Sequence, residues 1–539
     1  MRMRRGTLVL LCGLVLSAGL YASPLVIVSA GDPVLEDIRY VAREAGAGIL
    51  SFTPPLSRDE IVNILAAAEP ENLPLPAQEA YRRIQDRLNP PMRFTEDYFS
   101  LAFHGAVQAE AGFRTNTAVP WRQGDFQRPA VLRLPLDFYF ADFVLLNLEL
   151  AVNLDPAFNE KNGHFVTNVP WPSEHVDMFF PFRAFAAAGG KWWNFQIGRD
   201  QITFGTARTG NLLLSDTPDY YDFARLSLFS KHFKYSALVI HNPLFLSEKF
   251  YDSPETEGIY LQRHIYIHRI DFSLFNKVSV GITEGLSVGN APLEIRYLNP
   301  LMILHNFMSG DDYDPLLDFS YNEMNSSIFS LEVNWTPVPA FSFYAQLALD
   351  EFTTPWETES DADNKTPQGI GYLAGAEYSR AFGSWGALFY AEAAYLDPYI
   401  YVDNSPWAAF VWSRRMNRKA MEFRYRWIGH PEGRDTIVFA AGSRFSRNDQ
   451  LALSAALSFT VHGEHGIYWD WRRGDQYAAE TAPTGTAEKK LAASLGAEWK
   501  PVPAVTLSAE LGGALILNAQ HTEAREFGAE AQLSVKYVF

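Results

Sequence analysis

The chain has 539 residues, a formal net charge of -17 and an aromatic content of 14%, with 25 Tyr, 39 Phe and 13 Trp. This acidic balance argues against nucleic acid as a partner, because binding phosphates requires a basic surface. After residue 22 no uncharged apolar run reaches the roughly 18 residues that a transmembrane helix needs. Many aromatic residues without a spanning helix are typical of a membrane barrel, whose rings form girdles at both bilayer interfaces.

The first 22 residues have the pattern of a secretory signal peptide. Residues 1–5 are basic, residues 6–20 are apolar, and Ala22 offers a small residue for cleavage. Cys12, the chain's only cysteine, lies within the apolar part, so the predicted mature chain contains no disulfide and no thiolate metal site. We therefore expect an exported protein.

Residues 23–95 have the apolar spacing of helices. Apolar residues recur at helical intervals in residues 33–46, and Ser57 with Glu60 forms a capping box before a second apolar run. A third helix is predicted for residues 77–88, because an Asn-Pro-Pro sequence follows it. We predict a small α-helical periplasmic domain over residues 23–95.

From about residue 97 the apolar period changes to two and stays so to the C terminus. The runs at 144–154, 341–349 and 451–461 are clear examples, with apolar and polar residues in alternation. So many alternating strands need a closed sheet, because lipid cannot satisfy the free edges of an open one. We predict an all-β fold for residues 96–539, a large antiparallel transmembrane β-barrel of about 16 to 18 strands.

The last strand of this series is the most regular. Apolar side chains occupy alternate positions from Phe527 to Phe539, and Tyr537 lies two residues before the aromatic C-terminal residue. This ending resembles the signal that the outer-membrane barrel-assembly machinery reads, whereas the alternative is the edge strand of a soluble sandwich. We therefore expect Phe539 and Tyr537 to engage the assembly machinery, with outer-membrane lipid around the barrel.

Two similar turns predict the orientation of the barrel. Residues 336–340 and 500–504 both end in Pro-Val-Pro-Ala, follow a Trp and join two alternating strands. A count back from the C terminus, with strands near 491, 451, 436, 419, 407, 385 and 370, places both turns on the periplasmic side. The same count places the longer segments 351–369, 397–406 and 463–490 outside, as expected for these barrels.

Short motifs that suggest catalysis or metal binding each have a simpler structural interpretation. Ser287 lies in a Gly-x-Ser-x-Gly pattern, but within strand sequence and without a following helix. Residues 462–465 (HGEH) lack the helical spacing of paired histidine ligands. The acidic stretches 311–314 and 361–364 lack the full ligand spacing of a calcium loop. We predict no catalytic residue, no metal site and no cofactor.

Two predicted outer segments, 399–412 and 463–490, combine aromatic rings with charged planar groups. Indoles pack on the apolar faces of sugars, and carboxylates and guanidiniums bond to their hydroxyl edges. The alternative role for each ring is in the interfacial girdle or in loop packing. The candidate glycan contacts are Trp469, Trp471, Arg472, Arg473 and Tyr477, with Trp407 and Trp412 as weaker candidates.

Four segments resemble the Wzi-type capsule-assembly family: 195–205 (FQIGRDQITFG), 210–216, 296–301 and 344–350. The resemblance spans about residues 95–539, and the helical leader is similar to the family's periplasmic helical part. It implies an outer-membrane barrel of about 18 strands, the count we favour, that is closed to free diffusion. It also implies a lectin that binds and retains capsular or other surface polysaccharide. A porin or substrate-specific channel is the alternative function for the same barrel.

Overall fold

The computed structural model describes residues 25–96, 98–119, 128–159, 163–178, 181–245, 260–289, 292–301, 304, 325–350, 369–402, 409–416, 423–468 and 480–539. The predicted signal peptide, with Cys12, lies outside the described residues. No helix within these ranges is long and apolar enough to cross a bilayer.

Eighteen strands of the described residues form a closed antiparallel barrel. The barrel fold predicted from the alternating pattern is therefore confirmed, with the favoured strand number. The strands are β1 (Phe99–Phe103 continued by Ala106–Arg114), β2 (Leu132–Phe140), β3 (Val144–Val152), β4 (Ala184–Gly190), β5 (Trp193–Asp200), β6 (Tyr221–Phe229), β7 (Phe233–His241), β8 (Arg263–Leu274), β9 (Val278–Gly289), β10 (Asn325–Val338), β11 (Phe341–Leu349), β12 (Ile370–Phe382), β13 (Trp385–Leu396), β14 (Thr436–Arg447), β15 (Leu451–His462), β16 (Glu488–Val502), β17 (Val505–Leu517) and β18 (Arg525–Val538).

The last strand closes the barrel and shows the two predicted faces. Phe527 and Tyr537 are exposed on the outer surface, whereas Gln532 is buried toward the lumen. Strand β18 pairs along β1. Past its end, Phe539 N–H donates to the carbonyl of Gly105 over 2.9 Å, and Gly105 N–H donates back over 3.0 Å. A Cβ on Gly105 would overlap the Phe539 ring, so a larger residue at this closure would require the ring to move.

Three helices precede the barrel: α1 (Val34–Glu44), α2 (Arg58–Ile64) and α3 (Leu75–Leu88). The capping box at the start of α2 is present, because the Ser57 side chain accepts from Glu60 N–H and the Glu60 carboxylate accepts from Ser57 N–H. Before the helices, Ile27–Val28 pairs with Leu56–Ser57 in a two-stranded sheet. The fully buried side chains of Ile38 and Ile84 belong to the shared core of this helical segment.

The helical segment packs into one mouth of the barrel. Gly48 N–H donates to Asn276 in the turn between β8 and β9 over 2.8 Å, and Ala340 N–H, between β10 and β11, donates to Arg43 over 2.9 Å. The turn at 336–340 therefore lies at the helical end. Because strands alternate in direction, the turn at 500–504 lies at that end as well.

Two segments predicted as wall strands, near residues 407 and 419, do not join the wall. Val411–Arg415 pairs with Phe423–Trp427 in a separate hairpin, here called the lumenal hairpin, and β13 pairs directly with β14. Both faces of its first strand are buried, with Trp412 and Arg414 on one face and Val411 and Ser413 on the other. A wall strand must expose one face to lipid, where an arginine is costly. The count of wall strands back from the C terminus was therefore too high by two. An error of two strands does not change which end of the barrel each turn is assigned to.

Buried ion pairs attach α1 to the inner wall. The Glu377 carboxylate, on β12, accepts hydrogen bonds from Arg39 and Arg43 of α1. It also accepts one from Arg208 Nε over 2.6 Å. Glu377 is almost fully buried. Three guanidiniums thus converge on one carboxylate between the helix and the wall. We call these four residues the Glu377 cluster.

A second set of buried charges attaches the chain around α2. Lys234 Nζ, on β7, lies 2.5 Å from Glu60 Oε1, and Arg225, on β6, donates to the carbonyls of Thr53 and Pro55. Burial by itself would raise the pKa of Glu60, but the charges of Lys234 and Arg225 outweigh it, so this pKa lies below its usual value. Buried charged groups that neutralise each other therefore hold the helical segment to the wall.

The lumen is packed on one side and open on the other. An apolar cluster along the inner faces of strands between β6 and β14 takes in the lumenal hairpin and residues 400–402. Residues 400–402 turn inward from the segment predicted to lie outside. Tyr401, in that segment, donates to the carbonyl of Leu212. Along β13–β18, β1 and β2, cavities of about 910 Å³ and 350 Å³ share Gln108, Ser508 and Lys536 in their linings. The barrel is thus filled asymmetrically.

We predict the orientation to be testable with single cysteines in the mature chain. Thr486→Cys, opposite the helical end, should react with a membrane-impermeant maleimide on intact cells. Val338→Cys and Val502→Cys, in exposed turns at the helical end, should react only after lysis. The reverse labelling pattern would show that the helical end faces outward.

Removing the central charge of the Glu377 cluster should loosen the helical segment. Glu377→Gln leaves the buried guanidiniums of Arg39 and Arg43, and the partly buried one of Arg208, without this carboxylate. We expect this to cost about 3–5 kcal/mol in the free energy of unfolding. The control is Glu498→Gln, whose pair with Arg444 is about half exposed and should cost at most about 1 kcal/mol. Urea titration measures the free energy of unfolding of each variant. The rate of protease cleavage within residues 25–95 measures how far the helical segment is loosened. Equal losses in the two variants would contradict a structural role for the cluster.

Candidate functional site

Most of the predicted contact residues lie outside the described residues. These are Trp469, Trp471, Arg472, Arg473, Tyr477 and Trp407. Trp412 is described, and only 3% of it is exposed. Its ring meets Tyr220 edge-on at 5.5 Å within the apolar cluster. The structure places Trp412 in the packing of the lumen, the alternative role given above for such a ring.

The structure describes both ends of the loop that carries residues 469–477. The Asp435 carboxylate accepts from His465 N–H over 3.1 Å on the outgoing side. On the returning side it accepts from Thr484 N–H over 2.9 Å and from the Thr484 hydroxyl. Asp435 is fully buried. One carboxylate therefore holds together the two ends of the loop, which we call the 463–487 loop.

The neighbouring Arg434 ties this loop to the 398–402 segment. Its guanidinium donates to the carbonyls of Gly466 over 2.9 Å, Pro398 over 3.0 Å and Tyr468 over 3.4 Å. The planar fork of an arginine suits three such acceptors, because its donors are fixed in one plane. Arg434 and Asp435 together form the loop base, and neither was identified from the sequence.

The segment carrying the loop base is anchored from below by a buried histidine. His430 Nε2 lies 3.0 Å from Thr209 Oγ1, and Glu432 N–H donates to His430 Nδ1 over 3.3 Å. Burial lowers the pKa of His430 to about 3, so the ring is neutral at physiological pH. A neutral ring that accepts on Nδ1 donates from Nε2, which makes the Thr209 hydroxyl its acceptor.

Above the loop base, aromatic and charged groups form a rim. His465 Nε2 lies 3.0 Å from Glu480 Oε2, and the Tyr399 hydroxyl donates to the same oxygen over 3.1 Å. Tyr468 is partly exposed and meets Tyr425 edge-on. Aromatic rings can pack on the apolar faces of sugars, and a carboxylate can accept hydrogen bonds from their hydroxyl groups. The mixed composition of the two outer segments was the sequence signal for this rim, but sequence did not predict which residues meet.

The other motifs singled out from the sequence have structural roles where they are described. Ser287 is buried within β9 and paired with β8 and β10, so no strand–turn–helix surrounds it. His462 approaches His521 while His465 pairs with Glu480. Within the described ranges, no three His, Cys, Asp or Glu side chains are placed to hold a metal ion. The acidic stretches 311–314 and 361–364 lie outside those ranges.

The loop base should depend on the charge of Asp435. Asp435→Asn keeps the shape and suits the left-handed backbone here (φ 56°), but its amide can accept at only one oxygen. We expect a loss of about 1–3 kcal/mol, seen as at least tenfold faster amide exchange at residues 463–468 and 480–487. The control, Asp449→Asn, has a similar φ of 52° and an exposed partner, Lys500. Unchanged exchange in Asp435→Asn would show that the loop is held by other contacts.

Comparison with known proteins places the chain in a family. Its sequence matches the family model "Capsule assembly protein Wzi" over residues 95–526, and no curated protein sequence matches it. Among solved structures it is similar to Wzi of Escherichia coli, described as an outer-membrane protein involved in group 1 capsule assembly and a carbohydrate-binding β-barrel. That similarity has a TM-score of 0.57 and 16% identity over 95% of this chain and 99% of the other.

Weaker similarities extend to Pseudomonas aeruginosa OprD (TM-score 0.40, 8% identity, 81% of this chain and 95% of the other) and Vibrio cholerae OmpT (0.35, 11%, 83% and 99%). At these TM-scores the two similarities support no conclusion about this chain. The family match covers most of the chain, and the solved Wzi barrel matches nearly all of it in fold. The chain therefore belongs to the Wzi capsule assembly protein family, as an outer-membrane β-barrel.

Proposed function

We propose that the protein binds capsular or other surface polysaccharide at its extracellular loops and so retains the polysaccharide on the outer membrane. The observation that carries this proposal is the rim on its rigid base, where Tyr399, His465 and Glu480 meet above Arg434 and Asp435. Pre-ordering a loop before it binds reduces the entropy lost on binding. The carbohydrate binding stated for the solved Escherichia coli relative supports the same function.

The proposed contacts are the residues carried by the 463–487 loop, with the rim beside them. Trp469, Trp471 and Tyr477 would stack on sugar rings, and Arg472 and Arg473 would bond to hydroxyl or carboxylate groups. Trp407 is kept as a weaker candidate, whereas Trp412 would contribute only if the apolar cluster opened. The proposed activity is binding, without a catalytic step.

Two further assignments accompany this function. Residues 23–95 would be the periplasmic part of the protein, closing the inner mouth of the barrel from that side. Tyr537 and Phe539 would be read by the barrel-assembly machinery, and their exposed aromatic rings at the end of β18 suit such a signal.

A substrate-specific channel is the second candidate function. The observation in its favour is the incompletely filled lumen along β13–β18, β1 and β2, with its cavity of about 910 Å³. Against it stand the helical segment in one mouth and the apolar cluster toward the other. Single-channel recording in planar bilayers separates the two functions, since a steady conductance in the unmodified protein would favour the channel.

Replacing Trp469 and Trp471 with Ala should weaken polysaccharide retention by about tenfold, because each stacked ring contributes about 0.5–1.5 kcal/mol. Retention is measured as cell-bound polysaccharide and as affinity for the purified glycan in detergent. The matched control replaces two other exposed tryptophans, Trp192 and Trp335, in a turn and on the outer wall. Normal retention in the loop variant, with normal heat-modifiable migration on a gel, would overturn the assignment of this patch.

A further inference from the structure

The segment that follows β9 returns along the outside of the barrel. Residues 292–301 with Leu304, here called the strap, include a short 3-10 turn at Ile295–Leu298. Glu294 N–H donates to the Tyr266 hydroxyl over 2.8 Å, and Leu304 N–H donates to Glu284 Oε2 over 2.8 Å. The rings of Tyr266 and Tyr297 lie 4.9 Å apart. The strap is thus fastened to β8 and β9.

The side of the wall that the strap covers follows from the alternation along β8. Arg263 and Arg269 face the lumen, where Arg263 binds the carbonyls before the lumenal hairpin and Arg269 binds Glu332. Tyr266 is on the opposite, outward face, the same face as Phe272, which is exposed. The strap therefore lies on the lipid-facing surface of the barrel.

The wall beneath the strap carries polar and ionisable side chains on its outward face. His264 and His268 share the outward face of β8 with Tyr266, and the register places Glu284 beside His268. Both histidines are buried, although no neighbouring strand lies on that side. A charged side chain on the lipid face is costly near mid-membrane, about 2–4 kcal/mol for Arg or Lys and less for Glu, and the cost falls toward the interface. The strap covers one of these groups, because Leu304 N–H donates to the Glu284 carboxylate.

The strap has two different sides. Tyr297 and Leu304 are fully buried against the wall. Leu293, Ile295 and Leu301 face away from it, with 51%, 80% and 91% of their surfaces exposed. Below the strap the outward surface continues in exposed wall residues, among them Ile282 and Phe329. The apolar surface of the strap is thus continuous with the lipid-facing surface of the wall.

We propose that the strap is a membrane-embedded element whose partner is the acyl chains of the surrounding bilayer leaflet. Leu293, Ile295 and Leu301 then take the place of the outward apolar residues that the strap buries, which include Val239, Leu286 and Val288. Arg296, paired with Glu294 at 2.5 Å and lying over the Tyr297 ring, carries a charge that is neutralised within the strap. A second copy of the chain fits less well, because a stable interface buries about 800 Å² per partner, more than three aliphatic side chains offer.

The test uses the full mature chain in phospholipid vesicles, with Ile295→Cys carrying an environment-sensitive fluorophore. Bromine atoms on the lipid acyl chains quench a fluorophore that lies among them. We expect brominated lipid to lower the emission at Ile295 about twofold, as at the wall control Phe329→Cys, because both lie in the apolar layer. Thr486→Cys, in the 463–487 loop, should not be quenched. Leu301→Cys is a second reporter if Ile295→Cys fails to fold.

Each other outcome overturns the proposal. In one such outcome, bromine quenches the fluorophores at Ile295 and Leu301 no more than the one at Thr486. The strap would then lie in water or under another part of this chain. Disulfide-linked dimers of Ile295→Cys at high lipid-to-protein ratio would make a second copy the partner. A failure of polysaccharide binding leaves this test unaffected, since it measures lipid contact alone.

Discussion

The closed hydrogen-bonded sheet is the constraint on which the rest of this protein depends. Lipid offers no partner to a backbone N–H or carbonyl, so a strand edge at membrane depth is costly. The chain removes its edges by pairing β18 with β1 and by exchanging hydrogen bonds between Phe539 and Gly105 at the C terminus. The long segments between strands are not needed for this closure, because the wall strands complete it by themselves.

A barrel of this size has a lumen that wall side chains alone do not fill. The protein fills one part of it with helices held by paired charges, the Glu377 cluster and the Glu60–Lys234 pair, and another with the apolar cluster around the lumenal hairpin. These fillings support the end of the barrel opposite the helical segment. His430, Arg434 and Asp435 emerge from the packed side and hold the 463–487 loop, so the rim proposed to contact glycan stands on a rigid base.

A segment between strands also covers part of the outer face of the wall. An ordinary lipid-facing surface requires apolar residues on every strand, yet β8 and β9 place His264, His268 and Glu284 outward. Leu304 of the strap binds Glu284, and in our proposal the exposed side chains of the strap supply the apolar surface at this level. Segments between strands therefore fill the lumen, form the rim at the end opposite the helical segment and, in our proposal, cover part of the lipid-facing surface.

The sequence by itself determined what repeats locally: the helices and capping box of α1–α3, the two-faced strands, closure into a barrel and the common end of the two Pro-Val-Pro-Ala turns. Period-two alternation and capping are properties of neighbouring residues, so they can be read from the chain. Tertiary structure decided what depends on distant partners. Val411–Arg415 lies close to a predicted wall strand but is buried on both faces, and Trp412 packs in the lumen. Arg434, Asp435 and the strap acquire their roles only from segments far away in sequence, because a loop's position is set by the surface that remains to be covered once the barrel has closed.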